Sequence, residues 1–194
     1  MRSARAAKAV TEVCSPAVVV FLLPMAVAWQ ATGYRILPTI GWGLVVALFT
    51  SVLPMIFIVR GARRGHWDGH HVRDREHRFV PLMVALGSGI AGLVVVLAGH
   101  APQDVVALTG SMLVTLAVCI LITRWWKVSL HTTVAGGAAA TIALLYGPVW
   151  LALFLLVALI GWSRVVLTDH TVTQVVAGAL LGPVSGGAVF LLLR

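Results

Sequence analysis

The stretch Ser163-Arg164-Val165-Val166-Leu167-Thr168-Asp169-His170-Thr171-Val172-Thr173-Gln174 sets Arg164, Asp169, His170 and Gln174 between two apolar segments. A guanidinium at a membrane edge is suited to holding an anion through two parallel bonds. An imidazole oriented by a fixed acceptor can act as base or nucleophile. Gln174 lies one helical turn beyond His170, so its amide can reach the ring from the same face. The competing reading has Arg164 snorkelling to the interface and His170 capping an interfacial helix. Two further loops add Lys127, Ser129 and His131, and Arg75 and Arg78. Few carboxylates stand against these cations: Asp68, Asp74, Glu76 and Asp169. Cations at a membrane edge are costly, and an anion site is the default explanation for them. Phosphate is the anion that best uses several fork donors and a hydroxyl. Two imidazoles then divide the work, one attacking phosphorus in line and the other protonating the leaving oxygen.

These residues have to be carried by elements that live in lipid. Of 194 residues, 60% are hydrophobic and only 10% charged, the composition of a polytopic membrane protein. Seven apolar segments are expected near 14–31, 39–60, 80–99, 104–123, 131–146, 148–163 and 171–193, the fifth and sixth of them short. The expected fold is an all-α, polytopic transmembrane helix bundle of six to seven spans. Residues 1–13 form a basic N-terminal segment, and 14–194 a single transmembrane domain. Pro24 and Pro54 fall inside spans and are expected to kink them. Gly178, Gly182 and Gly186 recur every fourth residue, and Gly87 with Ala91 and Gly136 with Ala140 share that spacing, which suits close helix contact in lipid. Cys14 and Cys119 both lie in apolar runs, which argues against a disulfide framework.

Counting spans places the loops at 60–78, 124–131 and 163–174 on one membrane face. That face and the N-terminus carry twelve of the fourteen Lys/Arg, against Arg35 and Arg194 on the other. The excess predicts a cytoplasmic location for the polar loops, and explains the net charge of +8 without a nucleic-acid partner.

Ser163-Arg164, five residues, His170, three residues, Gln174 resembles the third motif of the type-2 phosphatidic acid phosphatase superfamily, which has Asp where Gln174 stands. Val128-Ser129-Leu130-His131, with Lys127 ahead of it, is similar to the second motif, Pro-Ser-Gly-His. His71, six residues, Arg78-Phe79 is the nearest fit to the first, Lys, six residues, Arg-Pro. The resemblance implies an integral-membrane phosphatase acting on a lipid or isoprenoid phosphate or diphosphate, with no metal and no cofactor. It implies His170 as the nucleophile that forms a phosphohistidine and His131 as general acid. Gln174, with Asp169 as a possible substitute, would support the nucleophile. Arg78, Ser129 and Arg164 would hold the phosphoryl oxygens beside Ser163 and His71; Arg75 and Lys127, which no motif supplies, are added as cations that could replace the missing motif lysine.

His66, His70, His71 and His77 can be read as a metal cluster, but Arg63, Arg64 and Arg73 would repel a cation there. Trp125-Trp126 reads as an interfacial belt. Two other functions share the same residues: a phosphotransferase with an alcohol acceptor, and a lipid-phosphate-binding homologue with impaired catalysis. The partners expected are the bilayer and the lipid phosphate, with a homo-oligomer compatible with the glycine-repeated last helix.

Overall fold

In lipid every backbone N–H and C=O must find its partner within the chain, and helices meet that demand segment by segment. The computed structural model describes residues 2–66 and 79–194, and among these every regular element is helical. Helix α1, Arg2–Val13, breaks at Cys14-Ser15. Pro16 then opens α2, Pro16–Ala31, at a position where its missing N–H costs nothing. The two are bent by 43°. There follow α3 (Ile36–Arg63), α4 (Phe79–Ala98), α5 (Gln103–Thr123), α6 (Leu130–Tyr146), α7 (Pro148–Val166) and α8 (Val172–Leu193).

Each of the seven expected apolar segments is a helix. Five of them, α3, α4, α5, α7 and α8, are long and apolar enough to cross a bilayer, and the bent α1–α2 pair brings the number to six. Helix α6 has 17 residues, reaching roughly 26 Å at 1.5 Å per residue, short of a typical hydrocarbon core. Its partner α7 begins with a 3-10 turn, Pro148–Ala152, after Gly147 at φ +101°.

The prolines act in different ways. Pro54 sits just behind a π-helical turn, Leu48–Val52, inside the continuous α3, while Pro24 lies within α2 without ending it. A second π turn, Pro183–Ala188, interrupts α8. Such widened turns absorb the bond that proline cannot make.

Close approach of α6 to α8 is what the glycines permit. A Cβ on Gly178 would stand 2.6 Å from the Ser129 carbonyl oxygen, one on Gly136 2.9 Å from that of Ala179, and one on Gly182 would collide with the Thr133 backbone. Gly87 departs from the expectation. It faces open space, and α4 instead uses Gly89 against Leu113 and Gly92 against Phe49. Spacing alone does not say which stripe of a helix faces a neighbour. The outcome is two helices, α6 and α8, whose first turns lie side by side.

Candidate functional site

The end of α7 shapes the site. Thr168 takes a left-handed φ of 58°, uncommon for a β-branched residue, and the chain doubles back. The amides of Asp169 and His170 both return to the Arg164 carbonyl, at 3.1 and 3.3 Å. That reversal lays Asp169 on Arg164, Oδ2 to Nη2 at 2.8 Å, with the side chains only 7% and 2% exposed. The sequence left open whether Asp169 supports His170; its carboxylate is engaged by Arg164. Lys127 closes the loop from the other side by donating to the Asp169 carbonyl at 2.7 Å.

Helix α8 begins with a capping box. Thr171 accepts from the Gln174 amide, and Gln174 Oε1 accepts from the Thr171 amide at 3.2 Å. A backbone N–H can only donate, so the identity of Oε1 is fixed. The same oxygen lies 3.1 Å from His170 Nδ1. Nδ1 therefore carries a proton, and the neutral ring is the tautomer with its lone pair on Nε2. The expected contact between Gln174 and His170 is thus present, with one oxygen serving both the helix cap and the imidazole.

Helix α6 is locked to that cap. The Ser129 amide donates to the Gln174 carbonyl at 3.3 Å, and Thr132 Oγ1 to that of Val175 at 3.0 Å. Ser129 is fully buried, and its hydroxyl caps α6 by accepting from the Thr132 amide. His131, in the first turn, is buried as well.

His131, Arg164 and His170 line one cavity of about 260 Å³. Its remaining wall is largely apolar, drawn from α2 to α6 and α8. It reaches as far as Thr141, ten residues along α6 from His131 and so roughly 15 Å deeper. Both imidazoles and the guanidinium therefore border one largely apolar chamber. Arg75, Arg78 and His71 lie outside the described residues, as do His70 and His77.

One neighbour of the site escaped the sequence reading. Thr11 of α1, 1% exposed, lies 3.0 Å from Ser163 Oγ, and Arg164 Nη1 donates to Thr11 at 3.4 Å. Arg2–Val13 is thus a helix packed on α7 at the site. The available signal was the pair Ala7 and Thr11, small residues one turn apart in a basic segment, both buried.

No curated protein and no solved structure matches the chain. The family model described as the PAP2 superfamily matches residues 126–194, which take in α6 to α8 with His131, Arg164, His170 and Gln174. The matched part, about a third of the chain, is thus similar to the type-2 phosphatidic acid phosphatase superfamily, a likeness that supports phosphatase-type chemistry.

Proposed function

We propose that the chain hydrolyses a lipid or isoprenoid phosphate or diphosphate through a phosphohistidine intermediate, without a metal. The observation that carries this reading is the single cavity that His131, Arg164 and His170 border together with an apolar wall. A phosphate with a hydrocarbon tail matches both of its chemistries. His170 Nε2, left with its lone pair by the Gln174 bond, attacks phosphorus in line. The P–O bond to the leaving group breaks, and the leaving oxygen takes a proton from His131. His131, now neutral, accepts a proton from water as that water attacks phosphorus, the P–N bond breaks, and inorganic phosphate leaves. Arg164 holds the phosphoryl oxygens as charge moves onto them, and Lys127 reinforces that end of the site. Arg75, Arg78 and His71 are proposed to complete the phosphate site, while the buried Ser129 and Ser163 serve it from behind, Ser129 by capping α6 and Ser163 by bonding the Ile160 carbonyl. The twelve-to-two distribution of Lys/Arg supports a multi-pass cell-membrane protein with this face in the cytoplasm.

The test is release of inorganic phosphate by the purified protein in detergent, over phosphatidic acid, phosphatidylglycerophosphate and polyprenyl phosphates. Turnover without added metal, inhibited by vanadate but not by EDTA, and lost in His170→Asn, is the expected result. Equal release by wild type and His170→Asn would refute the catalytic assignment, and loss of activity on chelation would refute metal independence. Formation of a transfer product in place of free phosphate would identify a phosphotransferase.

A further inference from the structure

Helix α1 lies before the matched residues, yet it places a hydroxyl on the guanidinium of the site. Ser163 Oγ is 2.7 Å from the Ile160 carbonyl and spends its single proton there. The 3.0 Å contact between Ser163 and Thr11 must then run from the Thr11 hydroxyl to Ser163. That leaves the Thr11 oxygen to accept, and Arg164 Nη1 donates to it at 3.4 Å. The result is a directed chain, Arg164 to Thr11 to Ser163 to the Ile160 carbonyl, in which each bond polarises the next. Nη2 of the same guanidinium is held by Asp169 at 2.8 Å. Both terminal nitrogens are thereby fixed by groups more than 100 residues apart in sequence, and the plane of the fork is set.

From this we infer that Thr11 is a positioning residue, through which α1 holds Arg164 in the orientation that grips a phosphoryl group. The inference rests on the proposed phosphatase reading and deepens it. Thr11 touches no substrate; it acts through Arg164. Its neighbours are consistent with a docked strap, since Ala7, one turn earlier, is fully buried while Arg5 and Lys8 face outward.

The experiment compares Thr11→Val, which keeps shape and removes the hydroxyl, with Thr11→Ser, which keeps the hydroxyl. In the full-length protein, kcat/KM on a lipid phosphate and the inhibition constant of vanadate are measured together. Thr11→Val is expected to lower kcat/KM by about tenfold to a hundredfold, the range of a hydrogen bond to a charged group, and to weaken vanadate in proportion. Both quantities read the grip on five-coordinate phosphorus. Thr11→Ser is expected to restore both to within about threefold. A valine variant within twofold of wild type overturns the inference. So does a slower valine variant that binds vanadate as tightly as wild type, because that is only a loss of folded protein. A serine variant as poor as valine overturns it too, since the hydroxyl is then not the agent. Thr11→Ala takes the place of valine if that variant does not fold. A wild type active only with His170 intact, beside a normal Thr11→Val, sinks this inference alone. A wild type that neither turns over nor binds vanadate sinks the phosphatase reading and this inference with it.

Discussion

Arg164–Asp169 and Arg194–Asp104 are arginine–aspartate pairs at opposite ends of the bundle. The first closes at 2.8 Å between side chains 2% and 7% exposed, the second at 3.3 Å between side chains 30% and 16% exposed. Each end also has a left-handed residue just past a helix, Thr168 after α7 and His100 after α4, so the backbone device is shared. What differs is solvent. The Arg194 end is braced in ways that tolerate water: its guanidinium lies 5.6 Å from the Phe190 ring centroid, and Gln103 donates to the Leu193 carbonyl at 2.6 Å. The Arg164 end is desolvated, so its charges depend on specific partners, Asp169 and Thr11 on the guanidinium and Lys127 on the Asp169 carbonyl. A desolvated pair contributes little net stability but is expensive to break. It is a poor clamp and a good way to hold a cation ready for an anion. Under the proposed function, the two ends separate charge kept for chemistry from charge that ties helix ends together.

The largest expected effect follows from removing one side of the buried pair. Asp169→Asn leaves Arg164 buried without its counter-charge and should cost about 3–5 kcal/mol, read from unfolding in detergent. A loss under about 1 kcal/mol would erase the contrast between the two ends. Arg164→Lys keeps the charge, but one ammonium cannot replace a planar fork shared between Asp169 and Thr11. It should lower phosphate release about a hundredfold, and full activity would make Arg164 a mere anchor. Gly182→Ala drives a methyl into the Thr133 backbone and should cost about 2 kcal/mol while pushing the first turns of α6 and α8 apart. Gly87→Ala, facing open space, should by contrast raise the unfolding temperature slightly. If both glycine variants behave alike, backbone proximity of α6 and α8 does not build the site.

How much of this could be read beforehand depends on whether the cause was local. The helical segments, the short α6, the one-turn contact of Gln174 with His170, and a common cavity for His131, Arg164 and His170 all follow from period, parity and spacing. Those signals lie within one segment or in the count of segments. The Arg164–Asp169 pair is only five residues apart, yet it was invisible because it needs the left-handed turn at Thr168, and threonine gives no warning of one. Gly89 and Gly92, and not Gly87, make the α4 contacts, because contact depends on which stripe the bundle turns inward. Thr11 was hidden for the strongest reason: its partners are 152 and 153 residues away, and nothing in a basic N-terminal segment announces a tertiary hydrogen bond.

The smallest expected effect belongs to the other pair. Asp104 sits in the first turn of α5 and Arg194 just beyond the end of α8, so the pair joins a helix start to a helix end. The carboxylate also favours its position beside the α5 N-terminal amides. With both side chains partly in water, screening leaves a modest attraction, and Asp104→Asn should lower stability by less than about 1 kcal/mol. High salt should shrink that deficit further, whereas the deficit of Asp169→Asn should barely respond, because salt reaches exposed charges and not buried ones. Unfolding of both variants at low and high ionic strength distinguishes the cases. Equal salt sensitivity at the two ends would mean that water reaches Arg164 as freely as Arg194, and the assignment of Arg164 to a desolvated anion site would fail with it.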